Sequence, residues 1–347
     1  MSGSTKTEND HENNELNSPV SLCGRSGRLS PAAVGWSKHP LHTCNLSGHW
    51  LRKKRWNYWC VTGKDAMFSI TISDIDYAGL VFAYYLDFRT GKSSERTVTV
   101  PFARNVYLGD TVQSLASFQN DDVDVQFVSE GEGFYVSLSW LNFAPGKDLC
   151  AELLVAHPKK HESLNVVVPW SSDRFQFTSK QNALPASGFF SIGEKKYQFD
   201  PKESFACLDF GRGIWPYRTR WNWGSFSGYS GKDLIGINMG SLWTDGTGIT
   251  ENAVTVNGKI TKIKENVQFV YDRGDFMKPW TIRLEKSGAV DLVFTPFHER
   301  EAKSNLLIVS SSVHQLFGRF EGTVCAGRKK FSIKGIVGWA EEHAARW

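Results

Sequence analysis

Residues 209–224 read D-F-G-R-G-I-W-P-Y-R-T-R-W-N-W-G and place three tryptophans, three arginines and one aspartate in one short stretch. In its second half, Trp221 and Trp223 alternate with Arg220 and Asn222. This period of two predicts a strand that presents both indoles on one face and the two polar side chains on the other. The stretch therefore predicts a β-protein whose aromatic surface is concentrated in one place.

Two interruptions of regular strand pairing are expected just before that strand. Pro216 has no backbone N–H to donate, so we expect an edge, a bulge or a strand entry around it. Gly211 and Gly213 predict a bulge or a close approach of another group to the backbone. They do not form a nucleotide-binding loop, because a third glycine at the required spacing and a following helix are missing.

An earlier part of the chain repeats this pattern. R-W-N-Y-W at residues 55–59 resembles R-W-N-W at residues 220–223. Two further matches follow in the same order and at nearly the same offset. G-K-D occurs at residues 63–65 and 231–233, and G-K occurs at residues 91–92 and 258–259. Such agreement suggests an internal duplication into two similar halves, each far longer than the repeat unit of a solenoid.

Most of the chain carries strand signals. Apolar and polar residues alternate at residues 68–72, 134–140 and 280–284, and glycine-containing turn sequences separate such runs. Many short strands at this spacing indicate a sandwich or barrel. Helix signals are few, and the best is S-P-A-A from Ser30, where a serine N-cap precedes a proline.

Composition limits the classes of function. An apolar fraction of 41% and a charged fraction of 22% are typical of a soluble globular protein, and no apolar run is long enough to span a membrane as a helix. A net charge of +4 argues against a dedicated nucleic-acid binder. The six cysteines form no C-x-x-C pair, and the first residues lack a secretory pattern, so we expect reduced thiols and a cytoplasmic protein.

Asp209 is the candidate catalytic residue, with two readings. A carboxylate among several arginines would be an ion-pair partner, whereas a carboxyl group desolvated in an aromatic pocket could act as a general acid. Around it we predict a ligand-binding set of aromatic and polar side chains, although indoles such as Trp56, Trp59 and Trp221 could equally plug the ends of two β-domains. The set is Arg212, Trp215, Tyr217, Arg218, Trp221, Asn222, Trp223, Trp56 and Trp59.

Three other groupings are weaker. His157 and His161 stand four apart, but Pro158 makes a chelating helix improbable. The letters E-E-H at residues 341–343 favour a terminal segment with solvated charges over an acid–base or metal site. The basic residues 52–55 suggest weak contact with a membrane surface or, more simply, a solvated turn. With no metal or nucleotide motif, we expect no cofactor.

Several long motifs resemble those of the family named domain of unknown function 2804. Besides L-D-F-G-R-G-I-W-P-Y-R-T-R-W-N-W, they are residues 22–41, 53–59, 317–324 and 338–347. More distantly, the pattern is similar to proteins with two lipocalin-like barrels, including carotenoid hydratases, tocopherol cyclases and cofactor-free cyclases. The resemblance implies that fold but supplies no catalytic residue.

We therefore predict an all-β protein of two consecutive lipocalin-like antiparallel β-barrels related by duplication. The expected segments are a disordered tail over residues 1–18, an N-terminal barrel over 19–156, a linker over 157–186 and a C-terminal barrel over 187–347. The boundary is placed where polar runs mix with three prolines.

Three functions stay open from the sequence. The first is binding of an apolar or amphipathic small molecule, such as a lipid, terpenoid or polyene, in a Trp/Tyr/Arg-lined pocket. The second is a cofactor-independent hydratase, cyclase or isomerase with Asp209 as general acid and indole faces stabilising a cation. The third is a carbohydrate-binding module, which requires exposed indole rings. The ligand, the number of binding barrels and the oligomeric state are left open.

Overall fold

The computed structural model describes residues 11–306 and 309–347, with side chains described outside 305–309. The first ten residues of the predicted disordered tail lie outside the described residues. Residues 11–18 pack onto the rest of the chain, where the Glu12 carboxylate lies 2.9 Å from the Lys262 ammonium.

The first part of the chain forms short strands and one turn of 3-10 helix, then long antiparallel strands. The helical turn covers Pro31–Ala33. The strands are β1 (Val20–Ser21), β2 (Trp36–Ser37), β3 (His42–Thr43), β4 (Lys53–Thr62), β5 (Ala66–Asp74), β6 (Ala78–Asp87), β7 (Ser93–Pro101), β8 (Val106–Leu108), β9 (Ala116–Gln119), β10 (Val123–Glu130), β11 (Gly133–Ala144), β12 (Lys147–Ala156), β13 (Leu164–Ser171), β14 (Arg174–Ile192), β15 (Lys195–Phe199) and β16 (Phe205–Ile214).

The second part is built in the same way. Its strands are β17 (Arg218–Ser230), β18 (Asp233–Ser241), β19 (Asn252–Val256), β20 (Lys259–Ile263), β21 (Gln268–Val270), β22 (Trp280–Arg283), β23 (Val290–Leu306), β24 (Val309–Ala326) and β25 (Lys329–Arg346).

The two large sheets share one strand order. The first runs β7-β6-β5-β4-β16-β14-β12-β11-β10-β9-β8, and the second runs β20-β19-β18-β17-β25-β24-β23-β22-β21. In each, the last strand of the half returns beside its first long strand, β16 beside β4 and β25 beside β17. The predicted fold class of two curled antiparallel β-barrels is confirmed, and the common order agrees with the duplication inferred from the sequence.

The opening motif crosses from one sheet to the other. Its first part ends β16 of the first sheet, its last part begins β17 of the second, and residues 215–217 connect them. The segment 157–186, expected to be a linker, instead contributes β13 and the first part of β14, because these residues pair in register within the first sheet. The first sheet therefore continues to Ile214.

Each sheet encloses its own apolar core, and a third set of buried residues lies between the sheets. Phe210 and Trp59 belong to the first core, and Phe226 to the second. Between the sheets, the Asn182 amide of β14 donates to the Ser225 hydroxyl of β17 at 2.7 Å. Alternate residues of β16 and β17 thus face a barrel interior or the opposite sheet.

Several local predictions are confirmed. The S-P-A-A signal forms the 3-10 turn, and the G-K-D and G-K sequences lie at turns between adjacent strands. All six cysteines are free, and Cys150 is the exposed one. Among the described residues, no helix has the length and apolar character needed to cross a membrane.

Candidate functional site

Two rows of side chains, one from each sheet, meet between the barrels. In the first sheet, Asp209 of β16 is paired in register with Tyr58 of β4 and Lys180 of β14. In the second, Glu341 of β25 is paired with Trp223 of β17 and Gln315 of β24 in the same way. We call these the Asp209 row (Tyr58, Asp209, Lys180) and the Glu341 row (Trp223, Glu341, Gln315).

The rows are equivalent by the internal duplication. The repeated R-W-N letters align Trp56 with Trp221, so Tyr58 aligns with Trp223 two residues later. Because Asp209 lies opposite Tyr58 and Glu341 lies opposite Trp223, the two carboxyl groups occupy matching positions. The rows contact each other, since the Tyr58 and Trp223 rings lie 6.0 Å apart and the Lys180 ammonium lies 4.3 Å from the Trp223 ring centre.

The Asp209 row contains a buried chain of charges. The Lys180 ammonium lies 2.9 Å from the Asp209 carboxylate and 3.4 Å from that of Glu251. Burial alone lowers the pKa of Lys180, but the two carboxylates outweigh burial, so that its pKa is raised and the ammonium persists. Burial also raises the pKa of Glu251, which accepts a 2.5 Å hydrogen bond from the Trp243 indole.

The Glu341 carboxyl group forms no ion pair in the described part of the chain, although the Arg300 guanidinium bonds the neighbouring Gln315 side chain at 3.3 Å. The Glu341 carboxyl accepts from the Trp221 indole at 2.8 Å and from the Gln315 amide at 3.2 Å. Burial raises the pKa of Glu341 to about 7, although the hydrogen bond from Trp221 and the charges of Lys180 and Arg300 oppose the rise. Near neutral pH this group therefore exchanges a proton readily, as a general acid must.

A tryptophan cluster covers one end of the two rows. We define it as Trp56, Trp170, Trp215, Trp221, Trp243 and Trp347. Trp215 is its centre, because its ring centroid lies 4.9–6.0 Å from those of the other five. Its indole N–H is satisfied by the Gln176 side chain at 2.7 Å. The residues that connect the two sheets thus also seal the interface with aromatic surface.

Beside this cluster lies a cavity of about 910 Å³. Trp170 and Trp243 supply aromatic wall, and the serines of residues 310–312 supply hydroxyl groups. Its charged lining is mostly basic: Arg218, Arg220, Arg273, Lys303 and Arg346 against Asp245. The Arg220 and Arg273 guanidinium groups both pair with the Glu342 carboxylate, at 3.2 and 3.1 Å.

Both rows are connected to the cavity wall. Trp243, a wall residue, donates to Glu251, which pairs with Lys180 of the Asp209 row. On the other side, the wall residue Ser311 bonds His343 at 2.8 Å, and the His343 ring lies 4.0 Å from that of Trp221. Burial and the charge of Arg300 lower the pKa of His343 to about 3, so its ring is neutral.

A family model described as "Domain of unknown function (DUF2804)" matches residues 13–347. The chain belongs to this family. The motifs singled out in the sequence lie inside the matched region, so the resemblance they suggested is confirmed. No curated protein matches this member of the family.

Solved structures similar to this family member include two of CghA. The structure of CghA with Sch210972 has a TM-score of 0.54 and 10% identity, covering 85% of this chain and 89% of that chain. A second CghA structure has a TM-score of 0.51 and 11% identity, covering 95% and 94%. Kievitone hydratase from Nectria haematococca has a TM-score of 0.47 and 11% identity, covering 84% and 88%. At these identities, the CghA similarity concerns the fold alone.

Several predicted site residues do come together in this member of the family. Trp56, Trp215 and Trp221 join the tryptophan cluster, and Trp223 faces Lys180 and Tyr58. Asp209 also belongs to the buried chain of charges, where its ion-pair partner is a lysine rather than one of the arginines of the ion-pair reading. Arg218 lines the cavity.

Other predicted residues lie elsewhere. Trp59 and Arg212 face the interior of the first barrel, because they fall on the opposite strand faces from Trp56 and Asp209. The Arg212 guanidinium is bound there by backbone carbonyl groups and Asn57, and burial lowers its pKa to about 9.

Two more predicted residues also point away from the rows. Asn222 faces the second barrel, where its amide donates to the Tyr271 hydroxyl at 3.0 Å. Tyr217 is 40% exposed at the connection between the sheets.

The weaker groupings also have definite positions. The expectation of solvated charges at residues 341–343 is wrong for Glu341, because β25 pairs on both sides and buries that face. None of the basic residues 52–55 is exposed, which argues against a membrane contact through them. The His161 ring bonds the Asn182 carbonyl oxygen, and no metal-binding group of His, Cys, Asp and Glu is present in the described part of the chain.

The sequence reading missed Lys180, Glu251, Trp243 and Trp170. A partial signal for Lys180 was present, since Gln176 and Thr178 alternate with Phe175 and Phe177 and Lys180 continues the polar spacing, although Ser179 beside it is polar too. That alternation predicts a polar face on a buried strand, which requires partners. Glu251 and Trp243 lie near turns, and nothing in their sequence neighbourhood indicates proximity to β14.

Proposed function

We propose that this protein binds a small amphipathic anion in the cavity of about 910 Å³, with an apolar body against the indoles and an anionic head toward the basic lining. The observation that carries the proposal is the combination of Trp170 and Trp243 with Arg218, Arg220 and Lys303 in one lining. The volume is within the range usual for small-molecule sites. Guanidinium groups suit carboxylate, sulfonate or phosphate heads because they offer paired donors.

The other two functions are weighed by the same contacts. A carbohydrate module needs open indole faces, but Trp215 packs against five other indoles and Trp223 is buried. An enzyme with Asp209 as the acid needs a proton on that group, whereas in the structure Asp209 is the ion-pair partner of the Lys180 ammonium at 2.9 Å. The CghA fold is compatible with binding and with catalysis and does not distinguish between them.

A matched pair of fluorescent probes tests the proposal. Anilinonaphthalene sulfonate carries a sulfonate, whereas N-phenylnaphthylamine is its neutral counterpart. We expect the sulfonate probe to bind with tryptophan quenching, and to bind about tenfold more weakly to Arg218→Met, because one charged hydrogen bond contributes on the order of 1.5 kcal/mol. The neutral probe should be little affected.

Arg283→Met is the control for that experiment, because Arg283 is half exposed on β22 and is not among the cavity-lining residues of the described chain. Equal loss of sulfonate binding in both variants would mean that the probe responds to the net charge of the protein and not to the cavity. Failure of the intact protein to bind either probe would contradict the proposal.

A further inference from the structure

The duplication places two carboxyl groups at matching positions in facing sheets. Their surroundings differ in the way expected of a proton donor and a proton acceptor. Asp209 has the Lys180 ammonium at 2.9 Å. Among the described residues, the donors within hydrogen-bond distance of Glu341 are neutral, the Trp221 indole and the Gln315 amide. Two carboxyl groups in contrasting surroundings, one beside a cation and one beside neutral donors, are an arrangement that acid–base enzymes use.

The space around the pair is not filled completely. The Asp209 side chain retains 14% exposure although it faces the second sheet. The Tyr58 hydroxyl is buried, and the partner it has among the described residues is the Cys60 thiol, which is a weak hydrogen-bonding group. A buried phenol without a full partner leaves a donor available to a bound molecule.

The aromatic walls fit an apolar, unsaturated molecule. Trp221, Trp223 and Tyr58 surround the carboxyl pair, and the cavity lies behind Trp243 and the Ser311–His343 contact. Indole and phenol faces stabilise a nearby positive charge through their negatively polarised ring faces. A carbocation formed beside them would therefore be favoured over one formed in water.

We infer that Glu341 and Asp209 form one acid–base site that moves protons on the carbon chain of an unsaturated terpenoid acid, with Glu341 as the proton donor and Asp209, paired with Lys180, as the acceptor. The inference rests on the proposed function, because the acid head of this substrate would be held in the basic cavity. It replaces Asp209 by Glu341 as the acid.

The reaction that the pair supports is a double-bond shift. The Glu341 carboxyl O–H gives its proton to one carbon of a C=C bond, and the π electron pair becomes the new C–H bond. The adjacent carbon is left as a cation facing the aromatic rings. The Asp209 carboxylate then removes a proton from the next carbon, and that C–H pair forms the new double bond. Transfer of the proton from Asp209 back to Glu341 resets the site without any co-reactant.

Solvent deuterium is the readout, with geranic acid as the probe. In deuterated buffer, we expect the intact protein to place deuterium on the carbon chain, detected by mass spectrometry of the recovered acid. Glu341→Gln and Asp209→Asn should each slow the incorporation at least about 100-fold, because general acid–base groups contribute that much. Both variants should still bind the acid, as measured by tryptophan quenching.

Glu321→Gln is the control, because Glu321 is exposed on β24 and is not among the described residues that line the cavity, and it should exchange like the intact protein. Binding without deuterium incorporation by the intact protein would overturn the inference and leave the proposed function standing. Absence of binding would instead remove the proposed function.

A titration of Glu341 tests the pair without any ligand. In the NMR spectrum of protein with carbon-labelled glutamate, Asp209→Asn should lower the pKa of Glu341, because the Asp209 charge raises it. The Glu341→Gln spectrum assigns the signal. An unchanged titration in Asp209→Asn would mean that the two carboxyl groups are not coupled, and the inference would fail.

Discussion

The Asp209 row and the Glu341 row are built on one plan and differ in how each treats its buried carboxyl group. In the first sheet, the register position beside the carboxylate holds a lysine, whereas in the second sheet the same position holds glutamine. The Asp209 carboxylate therefore has an ion-pair partner, whereas Glu341 accepts hydrogen bonds from neutral donors. The two rows thus keep one layout, while the lysine or the glutamine beside the carboxyl group gives the two acids different electrostatic surroundings.

The largest effect is expected from removing the cation. Lys180→Met leaves the Asp209 and Glu251 carboxylates buried without their shared partner, which should cost about 3–5 kcal/mol of unfolding free energy. Gln315→Met, at the matching position, removes the hydrogen bond that Gln315 donates to Glu341 and the one that it accepts from the Arg300 guanidinium, and should cost about 1–2 kcal/mol. Urea unfolding of both variants measures the difference. Equal losses would show that the two rows are energetically alike.

The next effect is a pH dependence of stability to which Glu341 contributes. The folded state keeps a proton on Glu341 up to pH about 7, whereas an ordinary glutamate loses it near 4.5. The folded state thus binds more protons in that window, so stability falls as pH rises from about 4.5 to 7, by roughly 3 kcal/mol at most.

Glu341→Gln should flatten that fall in stability, as measured by urea midpoints across the window. Glu251 contributes with the same sign and remains in the variant, since burial also raises its pKa. A profile unchanged by Glu341→Gln would mean that Glu341 is ionised throughout.

The smallest effect concerns the backbone beside each row. Gly211 aligns with His343, and a Cβ at Gly211 would lie 2.2 Å from atoms of the Trp56 indole. Gly211→Ala should therefore cost about 1–3 kcal/mol through overpacking. Gly24→Ala is the control, because its nearest atom would be the Arg28 carbonyl oxygen at 4.0 Å. A thermal midpoint equal in the two variants would contradict this packing argument.

The strands and the motif geometry could be predicted from the sequence because their signals are local. Alternation gave the two faces of β17, and Gly211 and Gly213 marked the close approach that Trp56 and Gln176 make to β16. The charge chain could not be predicted, since Lys180 and Glu251 lie far apart in the sequence and meet only through sheet packing.

The burial of Glu341 near the end of the chain also could not be predicted from the sequence. The letters E-E-H-A-A-R resemble a solvated segment, and their polarity conceals that β25 is a central strand. Alternation there puts Glu341 in the interface and leaves Glu342 in contact with Arg220 and Arg273. Which of two neighbouring acids is desolvated depends on strand register, and register is fixed by partners elsewhere in the chain.

The position of β25 also constrains synthesis on the ribosome. Both of its neighbours, β17 and β24, precede it in the chain. While the polypeptide emerges, those two strands have open edges that attract other strands. The first half meets the same condition earlier, when β16 must enter between β4 and β14. Each barrel is thus completed by its last segment, and a chain stalled before residue 329 would expose edges suited to chaperone capture or aggregation.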